Sequence, residues 1–204
     1  MCEPMTIRDE FTLLPPGQIA AIVTHLEMHA RPALRKEHVK PGEYAIRRMN
    51  RPELDAYRAI YRRVGENWLW FSRLAMDDET LTAIVHDPAV EVHILRHRGK
   101  DEGILEINFR RFPEVEISFL GVVETLLGKG AGRYLMNRAL EIAWARAPKR
   151  LTIHTCTLDH PRALEFYLKT GFAPYSRSIE IADDPRLKGI LPRKAAPQVP
   201  VIDH

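Results

Sequence analysis

Cysteine is almost missing from this 204-residue chain. Cys2 and Cys156 are the only two, too few for a disulfide framework or a cysteine-ligated zinc site, and in keeping with a reducing cytoplasm. Long apolar runs are missing as well. Stretches such as Ile19–Val23 and Gly121–Val123 fall far short of the roughly 20 residues that a membrane span needs. The polar, acidic start Met1–Glu10 has no basic-then-apolar leader pattern. Glycine and proline number 11 and 15, which excludes collagen-like and low-complexity chains. Charge of one sign is not in excess either: 30 Lys+Arg against 27 Asp+Glu leave +3. Basic clusters at Arg47-Arg48, Arg62-Arg63, Arg96–Lys100 and Arg110-Arg111 read as solvated faces that can steer an anionic ligand. A nucleic-acid-binding domain is usually more basic and more clustered. Neither nucleic acid nor a membrane is expected as a partner, and the expected location is cytoplasmic. What remains is 45% hydrophobic and 28% charged, enough to bury a core in one domain of roughly 100–200 residues with appendages.

The chain divides into an extension over 1–42, a main domain over 43–182 and a Pro-rich coil tail over 183–204. In the extension, Ile19, Ile22, Val23 and Leu26 follow i, i+3, i+4, i+7 spacing, which predicts a helix after Pro15-Pro16-Gly17. That helix would cover the domain's own sheet or join two copies as a homodimer. Tyr44–Met49 reads as a short strand. Asn50, Pro52 and Glu53 signal a helix start, with Leu54, Tyr57, Ile60, Tyr61 and Val64 on its apolar face and Gly65 at its end. A second short helix is capped at Asp77 and runs to about His86.

Three alternating segments follow, around Val90–Leu95, Leu105–Arg110 and Val115–Leu120. Their short connections predict an antiparallel meander. Next come a glycine-rich turn, a helix with Leu135, Ala139, Ile142 and Ala143 buried, a strand over Arg150–Thr157, a helix over Pro161–Thr170 ended by Gly171, and a last strand over Phe172–Ile181. This order predicts an α+β fold, a mixed and mostly antiparallel central sheet with helices on both faces.

Leu127-Gly128-Lys129-Gly130-Ala131-Gly132-Arg133 lies between a strand and a helix. Alternate glycines open conformations closed to other residues and clear side chains from the approach path. Main-chain amides and the first N–H groups of the helix then converge on an anion site. A mononucleotide P-loop would need Ser or Thr after its lysine, where Gly130 stands. A dinucleotide fingerprint would need a third glycine where Leu135 or Arg133 stands.

The turn does resemble the [Q/R]-x-x-G-x-[G/A] pattern of the GNAT family of acetyl-CoA-dependent N-acetyltransferases, with Leu127 in the Gln or Arg position. His160-Pro161-Arg162-Ala163-Leu164-Glu165-Phe166-Tyr167-Leu168-Lys169-Thr170-Gly171-Phe172 resembles the family's N-x-x-A-x-x-x-Y-x-x-x-G-F, with His160 in the Asn position. The two motifs occur in family order and span, and the resemblance covers about residues 44–181. It implies a GNAT-like fold, acetyl-CoA as cosubstrate and direct acetyl transfer to a primary amine on a small molecule or peptide. No metal is implied. Leu120, Gly121, Val122, Leu127, Gly128, Lys129, Gly130, Ala131, Gly132, Arg133, His160, Ala163 and Phe166 are the cofactor-binding candidates. The family's fourth strand bulges away from its fifth near Gly121 and Val122, and a glycine inside a strand agrees with that.

The reaction needs a neutral amine, a stabilised oxyanion and a proton for the departing thiolate. An alkyl ammonium of pKa near 10.4 is neutral in only about one molecule per thousand at pH 7. The resemblance makes Tyr167 the general acid beside the sulfur. Glu116, at the offset of a catalytic glutamate in one branch of the family, is the base candidate; Glu106 or a water chain is the alternate. Trp68, Trp70 and Phe71 mark the acceptor wall, with Glu66, Asp77 or Asp78 attracting the amine. Cys156 reads as an inert strand thiol, and His154 and His160 as structural or capping residues. The competing function is a non-catalytic acyl-CoA-binding regulator on the same fold.

Overall fold

A computed structural model of the protein describes residues 11–203; Cys2 and the acidic start lie outside them. The elements, in chain order, are β1 (Gln18–Met28), β2 (Tyr44–Met49), α1 (Leu54–Gly65), α2 (Asp78–Val85), β3 (Val90–His97), β4 (Lys100–Asn108), β5 (Glu114–Val122), α3 (Ala131–Trp144), β6 (Arg150–Cys156), α4 (Ala163–Thr170) and β7 (Ala173–Asp183). One seven-stranded sheet runs in the order β2-β3-β4-β5-β6-β1-β7. Only β5 and β6 pair in parallel; the meander β3-β4-β5 and the remaining pairs are antiparallel.

Helices cover both faces. Tyr57 of α1 reaches Glu106 on one side of β4. On the opposite side, Tyr134 of α3 packs on Tyr44 of β2, which also meets His97 of β3. The core between these layers includes Leu26, Ile94, Leu105, Ile107, Leu135, Met136 and Leu151, all fully buried. Among the described residues no helix is long and apolar enough to cross a membrane.

Several element boundaries follow local chemistry. The Asp77 carboxylate accepts the Thr80 N–H at 2.7 Å and caps α2. Gly171, at φ 112°, ends α4 in the left-handed conformation. The capping box expected at Asn50 does not form: α1 begins after Glu53 without a side-chain cap, and the Pro52 carbonyl accepts from His86 Nε2 instead.

The expected helix over Ile19–Leu26 is a strand. β1 pairs on both sides, with Val23 opposite Cys156 of β6 and Ser178 of β7. Ile19, Ala21 and Val23 are buried while Ala20 and Ile22 are exposed, a period of two that coexists in this window with the helical spacing. The β-branched run Ile22-Val23-Thr24 suits the pleated conformation, and an open slot between β6 and β7 makes the choice.

The tail is coil, as its composition indicates, yet it is anchored. Arg186 and Asp184 form an ion pair at 2.7 Å with side chains 1% and 2% exposed. The same guanidinium donates to the carbonyls of Ala195, Ala196, Val199 and Pro200. This knot presses Leu191, Ala195 and Ala196 onto Ile19 and Leu69 in a second small core. Arg186→Ala would strand a buried carboxylate, so a loss of about 3–5 kcal/mol is expected. Urea unfolding of the variant beside the parent measures it.

Candidate active site

Parallel pairing of β5 with β6 runs from Glu114↔Arg150 only to Ile117↔Ile153. On its other edge β5 carries a bulge: Ile107 and Glu106 of β4 face Ile117 and Phe119, and Ser118 is the extra residue. A bulge bends a strand and increases its twist, and from Ser118 onward β5 leaves β6. A cleft of about 750 Å³ passes through the gap. Main-chain groups on the β6 side of residues 118–122 have no strand to pair with. The opening therefore begins at Ser118, ahead of the expected Gly121.

Gly121 has a different task. A Cβ there would stand 2.6 Å from Val64 Cγ1 and 3.0 Å from the Trp70 ring, and one on Gly65 would stand 2.3 Å from Trp70 Cβ. The Trp70 side chain is thus wedged between two backbones. Its ring meets Tyr61 and Phe119 at 5.6 and 5.3 Å, and its Nε1 donates to Asp159 Oδ1 at 3.0 Å. Asp159 Oδ2 in turn accepts from Thr155 Oγ1 and the Cys156 N–H. One carboxylate therefore ties the aromatic loop before α2 to the far side of the gap. Trp68, which packs edge-on against His160 at 5.1 Å, and Phe71 line the cleft beside Trp70. Glu66, Asp77 and Asp78, expected to attract an amine, do not line it; Asp77 caps α2 and Asp78 pairs with Arg58.

The glycine turn closes the cleft's other end. Gly128 and Gly130 have φ of 74° and 86°, a region favourable only to glycine. A Cβ on Gly130 would also meet Val39 Cγ1 at 2.7 Å, whereas Gly128 and Gly132 face open space. The first intrahelical bond of α3 runs from Tyr134 N to Gly130 O, so among the described residues the N–H groups of Gly130, Ala131, Gly132 and Arg133 have no partner at the positive end of the helix. Leu120, Gly121, Val122, Leu127, Gly128, Gly130, Gly132, Arg133, His160, Ala163 and Phe166 all line the cleft.

Lys129 and Ala131 do not line it. The Lys129 N–H bonds to Leu126 O within the turn, its carbonyl accepts from the Tyr44 hydroxyl, and the Ala131 side chain is fully buried in the core. Arg133 lies over the Phe166 ring at 4.3 Å and donates to Thr170 Oγ1 at 2.9 Å. His160 Nδ1 accepts from the Arg162 N–H, which closes the entry to α4.

Tyr167 is 8% exposed, and its ring is fixed by edge contacts with Phe166 and Phe172. It lines the cleft, and its hydroxyl has no hydrogen-bond partner among the described residues. Burial, with a smaller contribution from Asp159, pushes the phenol well above its ordinary range. It therefore keeps its proton until a stronger base arrives.

Glu116 lies in the cleft wall, its Oε1 at 3.7 Å from His154 Nδ1. The imidazole holds the carboxyl below its usual range, against burial, and the carboxylate raises the imidazole. Glu106, the alternate base, is excluded by position: it is fully buried on the α1 side and saturated by the Tyr57 hydroxyl at 2.5 Å and Arg73 at 2.6 Å. Burial pushes the Cys156 thiol up to about 11, so it stays protonated and unreactive at neutral pH. No group of three or more His, Cys, Asp or Glu side chains among the described residues has metal-binding geometry.

The cleft also includes residues that the motif reading passed over. Ile19 and Ala21 of β1, Glu180 and Ala182 of β7, Leu69 and Leu158 form the wall beyond His154. The period-two alternation of β1 was the available signal for the first pair; nothing local marked the others.

The glycine turn and the buried Tyr167 phenol thus line one cleft opened by the strand splay. The model of the acetyltransferase (GNAT) family matches residues 54–172, more than half of the chain. The chain belongs to that family. A mycothiol acetyltransferase from Jonesia denitrificans is 37% identical over 65 residues, 32% of this chain and 20% of that protein; the chain thus matches only a fifth of that relative's length. Among solved structures, a functionally unknown conserved protein from Staphylococcus epidermidis superposes with a TM-score of 0.56 at 14% identity, over 82% of this chain and 63% of that one. The ribosomal-protein-S18-alanine N-acetyltransferase from Escherichia coli superposes with a TM-score of 0.54 at 15% identity, over 68% and 90%. At these identities the structural likeness concerns the fold.

Gly121→Ala would drive a methyl into Val64 and Trp70. A destabilisation of about 1–3 kcal/mol is expected, with altered tryptophan emission as the indole shifts. Chemical unfolding followed by fluorescence reads both.

Proposed function

We propose that the protein transfers the acetyl group of acetyl-CoA directly to a primary amine, with the donor on the glycine-turn side of the gap and the acceptor on the Trp70–Glu116 side. One observation carries the reading: free N–H groups at the start of α3 and the unpartnered Tyr167 hydroxyl share the wall of a single through-going cleft. The open space at Gly128 and Gly132 suits a diphosphate against main-chain amides, and the helix end favours its charge. Arg133 and Arg162 add positive charge at that end, while Lys169 is paired with Glu165. The unpaired edge of β5 offers hydrogen bonds to an extended, amide-bearing arm and a main-chain donor to the oxyanion.

In the transfer, the amine nitrogen attacks the thioester carbon and the C–S bond breaks. Its electron pair goes to sulfur, which takes the Tyr167 proton. A thiol of ordinary pKa about 8.5 leaves more readily when a weak acid near its sulfur supplies that proton. The proton lost by the amine goes to the Glu116–His154 pair and thence to solvent. Apolar residues Leu69, Phe71, Leu158 and Ala182 around the acceptor arm, with Glu180 and Glu116 as carboxylates, suit a cationic amine with an apolar body.

Tyr167→Phe is expected to lower kcat by about 10²-fold with little change in the KM for acetyl-CoA. Amine-dependent thiol release checks it. A protein that binds CoA, releases no thiol with any amine and is indifferent to Tyr167→Phe would be a regulator rather than an enzyme. Trp68→Ala should raise the KM for the acceptor far more than that for acetyl-CoA; equal changes would remove Trp68 from the acceptor wall.

A further inference from the structure

Glu116 and His154 face one another across the mouth of the splay. Glu116 immediately precedes Ile117, the last β5 residue paired with β6, and His154 immediately follows Ile153, the last β6 residue paired with β5. Their side chains remain 43% and 45% exposed, and both open into the cleft. The Nδ1 contact at 3.7 Å is electrostatic rather than a hydrogen bond, and a carboxylate, which can only accept, favours hydrogen on that nitrogen of the neutral ring. The Nε2 lone pair is then left available, and no hydrogen bond within the described residues occupies it. We propose that His154 is a catalytic residue of this enzyme, its Nε2 taking the proton from the acceptor amine while Glu116 positions the ring from behind. The inference rests on the amine-acetylation reading above and assigns the proton to one atom of the pair.

Chemistry separates the two members. A carboxyl held below its usual range is a weaker base than an ordinary glutamate, whereas an imidazole raised by its neighbours approaches the operating pH from below. Carboxylates favour the imidazolium from three elements: Glu116 on β5, Asp159 after β6 and Glu180 on β7. Arg111 acts on Glu116 from the β4–β5 connection. His154, 45% exposed, can pass the proton directly to solvent. The ring of His25 on β1 is 6.0 Å from that of His154, and its Nε2 meets the Ser178 hydroxyl at 2.9 Å on β7, a strand exposed along nearly its whole length.

The balance closes. The amine gives one proton to His154, which releases it to solvent, the C–N bond forms as the C–S bond breaks, and sulfur takes the Tyr167 proton. Tyr167 then recovers a proton from solvent.

The test uses the full chain, acetyl-CoA and a panel of primary amines covering aralkyl amines, polyamines and a peptide N-terminus, with thiol release followed from acid to alkaline pH. The wild type should lose kcat/KM on the acid side with a midpoint above the ordinary histidine value, because only the neutral ring accepts the proton. His154→Gln should lower kcat by about 10²-fold and abolish that limb, with CoA affinity unchanged by calorimetry. Added imidazole should restore part of the rate to His154→Ala. Glu116→Gln should move the limb to lower pH. Nitrogen-15 spectra of the wild-type ring should show the Nδ1–H tautomer above the midpoint. An active wild type whose rate and acid limb survive His154→Gln, or a ring protonated on Nε2, would overturn the assignment of His154 alone. A wild type that binds CoA but releases no thiol with any amine would overturn the acetylation reading, and this inference with it.

Discussion

The early end of β5–β6 pairing governs the rest of the molecule. Two parallel strands that separate after Ile117 and Ile153 leave main-chain donors and acceptors facing a void, and such groups must find partners. The Ser118 bulge starts the separation and the wedged Trp70 ring keeps it open. Every residue assigned a chemical role stands on the rim of that gap or on an element that begins beside it: the glycine turn after β5, α4 after β6, and the aromatic loop before α2.

Charge is graded along the cleft. At the α3 end lie the helix N–H groups, Arg133, Arg162 and Lys169, the last paired with Glu165; past the splay lie Glu116, Asp159 and Glu180 with Arg73 and Arg110. Burial then separates two protonation tasks. The Tyr167 phenol, raised by desolvation, keeps its proton. The Glu116–His154 pair, half-exposed, can exchange protons with water. Asp159 links the halves, since it anchors the Trp70 indole and also acts on Tyr167 and His154.

Much of this was legible in residue order. The meander, the Asp77 cap, the Gly171 stop and the glycine turn are local signals, each dictated within a few residues by periodicity or by backbone conformations that only some residues adopt. The two motifs brought Tyr167 and the turn glycines together because their spacing is tied to consecutive elements. β1 was not legible: Ile19, Ile22, Val23 and Leu26 satisfy a helical stripe, while Ile19, Ala21 and Val23 satisfy a strand. Glu106 and Glu116 also looked alike as polar residues on alternating strands. Only their neighbours distinguish them, Tyr57 and Arg73 enclosing one and the open gap receiving the other.

Sequence by itself determined the element types from β2 onward and the glycine turn, because these depend on contacts within or between adjacent segments; Tyr167 stood out only through the family resemblance. Tertiary structure decided that the early segment is a strand inside the sheet, that the proline-rich tail is knotted onto it by Arg186, and that His154 lies beside Glu116. The first depends on pairings across more than a hundred residues of chain, such as Val23 with Cys156, and the last on the register of β5 against β6. No local propensity encodes a partner that distant; it is selected only when the competing conformations are weighed by what each would bury.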